Sequence, residues 1–315
     1  QRYLTDVFAD LDLANDKLPT LHRGTDTVGR LTGEAAGQLG LQAGIPVVAG
    51  AGDGSCAGVG AGSARTGDFY TCLGTTAWIS CTADQPIFDR RQRLFNMATT
   101  DGSAYGVYGT AQNAGQSVLW AMDLFGETSE KQFDRDAALA PPGSDGLLFL
   151  PYLDGERSPV YDADARGIYF GIGSRHRGMH FRRAVLEGVA LALRSIVTVF
   201  REQAAVDTMK LIGGGARSDL WRQIIGAACG VVLEQMATPA GDATALGMAL
   251  TAGTGVGLYP DLTTAQAVIH TRSREVPDPA MAAQYNLMYP LFEQLYQANK
   301  PLFRQLAALQ APPEG

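Results

Sequence analysis

The 315-residue sequence predicts an α/β fold with a mixed sheet, in which β-hairpins come first and strand–helix repeats follow. Three observations carry that prediction. Two apolar runs are broken by glycine, Val47-Val48-Ala49-Gly50-Ala51-Gly52-Asp53-Gly54 and Asp68-Phe69-Tyr70-Thr71-Cys72-Leu73-Gly74-Thr75-Thr76-Ala77-Trp78, and the second reads as a hairpin. From Arg182 onward helical and extended patterns alternate, as parallel strands with crossover helices require. A composition of 46% hydrophobic and 18% charged residues supports a substantial core in one large or two smaller domains.

Taken in order, Leu31, Ala35 and Leu39 recur at helical spacing before Gly40, which makes residues 1–44 a helical lead-in. Ile45 to Ala49 is a strand, and after Asp53 the small residues Gly58, Gly60 and Gly62 predict a closely packed helix. The hairpin arms run from Phe69 to Leu73 and from Ala77 to Thr82, followed by strands at Leu94 to Ala98 and Ala104 to Tyr108. Val118, Leu119, Met122 and Phe125 mark one face of a helix between Asn113 and Phe125. A long helix over Arg182 to Ala204 then leads to strands at Met209 to Ile212 and Val231 to Glu234. Helices at Ser218 to Cys229 and Ala243 to Gly253 complete the alternation. The main domain therefore spans 45–278. Residues 279–315 form an amphipathic helical arm, with kinks expected at Pro290 and Pro301.

Charge and composition narrow the function. A net charge of −7 and four scattered lysines argue against a nucleic-acid partner, so bound phosphate must be held by backbone and hydroxyl groups. Four cysteines without a CxxC pair point to reduced, buried thiols and a cytoplasmic protein. His176 and His180 sit among Arg175, Arg177, Arg182 and Arg183 and read as a solvated basic loop, with no metal site. The apolar stretch from Val185 to Phe200 is interrupted by Glu187 and Arg194, which makes it a buried helix and leaves no membrane partner. The N-terminus carries no secretion signal, and a start without methionine suggests a fragment.

Two motifs carry chemistry. Asp53 is a lone carboxylate between glycines at a strand end, and the Gly74-Thr75-Thr76 turn offers N–H groups and two hydroxyls to an anion. An acid beside such a cradle suits phosphoryl transfer to an alcohol, because the acid takes the hydroxyl proton while the donors hold phosphate. Gly213-Gly214-Gly215 follows a strand and opens a helix at Ser218, where bare backbone and unpaired N–H groups admit a nucleotide. The same run can be read as a dinucleotide fingerprint ending in Ser218, with Glu234 as the ribose acid, which would mean a dehydrogenase. A Walker A loop is excluded, because no lysine follows a glycine. A non-catalytic nucleotide-binding module is the remaining alternative, and it would not need Asp53. Glu156 and Arg157 read as a surface ion pair on a loop that packs against a further domain, and Trp221 reads as a core residue.

The order of these motifs, with Leu150-Pro151-Tyr152-Leu153-Asp154-Gly155-Glu156-Arg157-Ser158-Pro159 and Asp164-Ala165-Arg166-Gly167 between them, resembles the FGGY carbohydrate kinases. Within that family the Gly-Glu-Arg-Ser-Pro loop looks most like xylulokinases, with gluconate kinases next. The resemblance implies an actin-like, hexokinase-like ATPase fold of ribonuclease H type. It makes this chain the C-terminal half and the N-terminal FGGY domain its partner. It implies ATP and Mg2+ as cofactors, a small sugar such as D-xylulose as acceptor, and an isolated half that is inactive. A homodimer stays open. By the family pattern Asp53 is the base, Gly74, Thr75 and Thr76 line the β- and γ-phosphates, and Gly115 lies near the ribose or α-phosphate. Gly214, Gly215 and Ser218 border the adenosine. Gly54 stands where relatives carry a polar side chain.

Overall fold

The computed structural model describes residues 2–239 and 241–310; residue 1 of the lead-in and 311–315 of the arm lie outside them. The lead-in holds α1 (Thr5–Asp10), β1 (Thr27–Arg30) and α2 (Gly33–Leu39). Thr32 caps α2 and left-handed Gly40 ends it. The lead-in is not purely helical, because β1 pairs antiparallel with β2 (Pro46–Val48) in a small sheet of their own. Then come α3 (Asp53–Gly60), β3 (Phe69–Leu73), β4 (Ala77–Ala83), β5 (Phe95–Ala98), β6 (Tyr105–Ala111), α4 (Gly115–Leu124) and α5 (Glu130–Ala138). A short pair, β7 (Leu148–Leu150) and β8 (Ile168–Phe170), precedes α6 (Gly178–Arg201). The remainder is β9 (Thr208–Ile212), α7 (Asp219–Cys229), β10 (Val232–Met236), α8 (Ala243–Gly255), α9 (Leu262–Ala265), β11 (Thr271–Glu275) and α10 (Pro279–Gln310).

Seven strands form the main sheet in the order β11-β10-β9-β3-β4-β6-β5. The centre, β10, β9 and β3, is parallel, and β4, β6, β5 and the edge strand β11 run antiparallel to their neighbours. Strand periodicity divides the side chains between two faces. Phe69, Leu73, Ile79 and Leu211 join the large core beneath α6, α7 and α10, whereas Tyr70, Tyr108 and Ile212 meet Ala57 and Ala243 on the other side. On that second face α3 and α8 touch through glycine. A Cβ on Gly60 would sit 1.7 Å from the Ala243 carbonyl oxygen, and one on Gly247 would sit 1.8 Å from that of Cys56. Of the glycine series, Gly60 serves helix packing as expected, whereas Gly58 faces the Tyr70 ring and Gly62, with a φ of +79°, turns the chain after α3.

Helix α6 is buried almost all round, and among the described residues no helix is long and apolar enough to cross a membrane. Its buried Glu187 accepts hydrogen bonds from Gly143 N, the Ser144 hydroxyl, Arg183 Nε and the Tyr285 hydroxyl, at 2.7–2.9 Å. A buried carboxylate is tolerated only when its oxygens are satisfied in this way. The arm is one uninterrupted helix through Pro290 and Pro301, and its Tyr285, Phe292 and Tyr296 complete the large core.

The histidine pair differs from expectation. His176 and His180 are buried, not solvated. The backbone N–H of Gly173 donates to His176 Nδ1 at 2.8 Å, and that of Arg177 donates to His180 Nδ1 at 2.9 Å. His180 Nε2 meets Asp145 at 3.2 Å. The His180 ring caps the start of α6 through the Arg177 N–H, His176 accepts from the loop before it, and Arg175 and Arg177 take the solvent while Arg183 is buried against Glu187. The four cysteines are free thiols, three buried and Cys72 half-buried.

Candidate active site

The widest convergence of the predicted residues is a cavity of about 350 Å³ beside the end of β3. Gly74, Thr75, Gly115, Gly214, Gly215 and Ser218 all line it, although they come from three separate stretches of chain. Apolar side chains, Leu73, Val118, Leu186 and Trp221, line one part of the wall; backbone and hydroxyls line the other. Trp221 also sits in the core, its indole N–H donating to the Leu186 carbonyl at 3.1 Å.

The hairpin turn is held in two ways. Gly74 donates its N–H to the Thr76 carbonyl at 3.0 Å inside the turn, so that group is not offered outward as expected. The carbonyls of Gly74 and Thr75 accept from the start of α4: Gly115 N donates to Gly74 O at 2.9 Å, and Ala114 N and Gln116 N donate to Thr75 O at 3.0 Å. Gly115 is required there, because a Cβ would stand 2.6 Å from Gly74 O. Among the described residues the N–H groups of Thr75 and Thr76 have no hydrogen-bond partner. Two donors and two hydroxyls therefore remain for an anion. Thr76 itself stands outside the cavity wall.

The glycine run lies against the same strand. Gly213 has a φ of +94°, and a Cβ on it would be 2.6 Å from Leu73 O; one on Gly215 would be 2.5 Å from the Leu73 side chain. Gly214 meets only the Arg217 guanidinium, at 3.6 Å, and is open toward the cavity. Ser218 lines the cavity and caps α7, its hydroxyl accepting from Trp221 N at 3.0 Å. Glu234 lies away from the cavity, 3.9 Å from Arg274, so the ribose acid that the dehydrogenase reading needs is not at the glycine run.

Asp53 is the first residue of α3 and is exposed, with its Oδ1 accepting from Gly54 N at 2.8 Å. It lies outside the cavity wall, and its charge acts on Cys72 of β3. Burial, and after it the Asp53 charge, push the Cys72 thiol up to about 12, and Cys72 directly precedes Leu73 and the turn. Two residues that sequence reasoning passed over hold the helix start in place. The Tyr70 hydroxyl donates to Gly54 O at 2.8 Å, and Trp78 Nε1 donates to that hydroxyl at 3.0 Å.

The opposite wall, α5, was also missed, and it brings Glu130, Lys131 and Asp134 to the cavity. Its signal was the pair Ser129 and Gln132, in which the Ser129 hydroxyl accepts from Gln132 N as an N-cap. Arg217 reaches Glu130 at 3.5 Å, so the rim carries two cations that composition did not place there. Burial pushes Asp134 up; the nearby Ser218 hydroxyl opposes that rise, and the charges of Glu130 and Asp219 add to it.

The expected surface ion pair is overturned. Glu156 is 5% exposed, and its Oε1 accepts from Gln112 N at 2.5 Å and Arg157 N at 2.7 Å. Burial, opposed by those two N–H groups, pushes its carboxyl up to about 7. The loop packs inward on this domain because Ser158 N bonds Thr110 O at 2.8 Å and the Ser158 hydroxyl bonds Arg93 O at 2.7 Å.

The profile of the FGGY family of carbohydrate kinases, C-terminal domain, matches residues 69–256. The chain belongs to the FGGY family of carbohydrate kinases. The N-terminal domain profile of the same FGGY family matches residues 1–60. A xylulose kinase of Staphylococcus epidermidis is 30% identical over 299 residues, covering 93% of this chain and 60% of the relative. A gluconokinase of Bacillus subtilis is 29% identical over 309 residues, covering 94% and 60%. The structure of ligand-bound xylulose kinase from Lactobacillus acidophilus superposes with a TM-score of 0.90 at 26% identity, covering 97% of this FGGY chain and 62% of that one. Gluconate kinase from the same organism gives 0.88 at 26%, covering 96% and 61%. The fold is thus the actin-like ATPase fold, and the chain spans about three-fifths of the length of the relatives it matches.

Proposed function

We propose that this chain is the nucleotide-binding part of an ATP-dependent sugar kinase that transfers the γ-phosphoryl group to a hydroxyl of a small sugar. Xylulose is the first candidate and gluconate the second, from the names of the similar enzymes. The observation that carries the reading is the exposed Asp53 carboxylate at the start of α3, whose charge acts on Cys72 of a strand whose terminal turn has two unpartnered N–H groups and two hydroxyls.

The cavity supports ATP as the donor. Its apolar wall suits a flat base, and the bare backbone at Gly214 allows close approach beside the start of α7. Thr75 and Thr76 would hold the β- and γ-phosphates, Gly115 would fix the turn near the α-phosphate, and Lys131 and Arg217 would add positive charge at the rim. Mg2+ bound with the nucleotide would neutralise phosphate charge during the transfer. In the transfer the sugar oxygen bonds to the γ-phosphorus, the bond to the β–γ bridging oxygen breaks, and Asp53 takes the hydroxyl proton. The acceptor pocket would be completed by the part of the relatives' length that this chain does not span.

The test is Asp53→Asn in the full-length protein. Asparagine keeps the shape but cannot take the proton, so kcat for xylulose or gluconate should fall by about a hundredfold to ten-thousandfold while ATP affinity holds. A loss under about tenfold would make Asp53 a turn residue and favour the non-catalytic binding module.

A further inference from the structure

We propose that Glu156 is a positioning residue for the phosphate end of the cleft: its carboxylate holds the 110–113 segment, and through it the first turn of α4, which grips the phosphate-binding turn. The proposal rests on the nucleotide reading above. It starts from a chain of hydrogen bonds that no local sequence pattern implies.

Loop 155–158 is stitched to the end of β6 at three points. Ser158 N donates to Thr110 O at 2.8 Å, Gln112 N donates to Glu156 Oε1 at 2.5 Å, and the Asn113 side-chain amide donates to Gly155 O at 3.1 Å. The next three residues, Ala114, Gly115 and Gln116, give their N–H groups to the carbonyls of Thr75 and Gly74. No slack separates the two halves, since a Cβ on Gly115 would already be 2.6 Å from Gly74 O. A displacement at Gln112 is therefore passed to the turn that carries the unpartnered N–H groups of Thr75 and Thr76 and lines the cavity through Gly74 and Thr75. Glu156 is the charged group in this chain of contacts, and its removal would free the Gln112 and Arg157 N–H groups together.

The arrangement is poised between two protonation states. Glu156 Oε2 and Asn113 Oδ1 are both buried acceptors without a partner among the described residues. A proton on the carboxyl would turn one of these acceptors into a donor. The charged group acting on Glu156 is Arg157 of its own loop, which pulls the carboxyl down, against the larger effect of burial. Tyr152 lies beneath it; burial and then the Glu156 charge push that phenol well above its ordinary value, with Tyr296 and Glu293 of α10 adding to the rise. Asp162 faces the loop through backbone, exchanging N–H and carbonyl with Glu156 and accepting the Tyr296 hydroxyl at 2.8 Å.

The experiment titrates ATP into the wild-type chain, Glu156→Gln and Glu156→Ala at pH 6 and pH 8, with amide exchange of Ala114, Gly115 and Gln116 followed in parallel. Glu156→Ala should weaken ATP about tenfold, the equivalent of roughly one lost charged hydrogen bond, and should speed exchange at those three amides. Glu156→Gln keeps an oxygen acceptor and should bind ATP within about threefold of wild type, as expected when the N–H contacts are retained. Its affinity should lack the change between pH 6 and 8 that wild type shows beyond ATP's own titration, which is common to both. Unchanged ATP affinity and exchange in folded Glu156→Ala would overturn the proposal, as would identical pH profiles for wild type and Glu156→Gln. If the alanine variant does not fold, the glutamine profile decides. If wild type binds no ATP, the nucleotide reading fails, and faster exchange in the variant would still show that Glu156 holds the turn.

Discussion

Tyr70 braces the first turn of the helix that begins at Asp53, although sixteen residues separate the tyrosine from Gly54, whose carbonyl it holds. Burial, with Tyr108 adding, pushes the Tyr70 phenol well above its ordinary value, so it stays a donor at any working pH. Tyr70→Phe leaves the Gly54 carbonyl and the Trp78 N–H without this partner, a loss of about 1–3 kcal/mol if both stay dry. In the full-length protein we expect kcat to drop about tenfold through a displaced base, with ATP affinity unchanged. Steady-state kinetics beside an ATP titration check this; unaltered kcat in a less stable variant would reduce Tyr70 to a brace. Asp53 itself was legible because an acid between glycines is a local signal. Tyr70 was not, since only the packing of the hairpin on α3 brings its hydroxyl to that carbonyl.

The glycine run between β9 and α7 shows how much two adjacent glycines can differ. Gly215→Val would drive a side chain into Leu73 and Trp221, both within 3 Å of its Cβ, and should unfold the junction. Gly214→Val meets only a mobile guanidinium and fills the cleft instead, so it should fold normally and bind ATP weakly. Melting curves with ATP titration separate the two, and normal affinity in folded Gly214→Val would move the nucleotide elsewhere. The run and the Ser218 cap were both readable, because a strand, three glycines and a capping serine are contiguous in sequence. Helix α5 carried a readable cap too, but its place opposite the glycine run depends on the large core that joins Phe133 to α6.

Across the molecule, buried acids set how stability responds to pH. Glu156 has a folded value of about 7 against an ordinary 4.5, so the folded chain keeps a proton that the unfolded chain has released between those values. Its stabilisation is full below about 4.5 and is lost as pH rises through about 7. Glu187, also pushed up by burial, acts in the same direction. Asp89 does the opposite: hydrogen bonds from Arg93 hold it at about 2, so its contribution is present above 3.8 and lost as pH falls through about 2. Calorimetry from pH 5 to 8 should show the wild-type Tm falling, with a shallower fall in Glu156→Gln because Glu187 remains. Parallel curves for the two proteins would mean that Glu156 does not titrate in this range.

Local patterns, on their own, specify the main hairpin and most of the strand–helix repeats of this chain. Alternation and glycine punctuation mark the hairpin and the strand–helix repeats, and a lone acid, a Gly-Thr-Thr turn and a glycine run supply the residues on which the proposed phosphoryl transfer rests. These features are short-range, since turn geometry, capping and periodicity act over a few residues. Folding alone decides what the sequence misassigns. His176 and His180 become buried acceptors of backbone N–H groups, and Glu156 becomes a buried clamp on a residue 44 positions away. The reason is desolvation: whether a charged or polar side chain faces water or a backbone N–H depends on which distant segment packs over it.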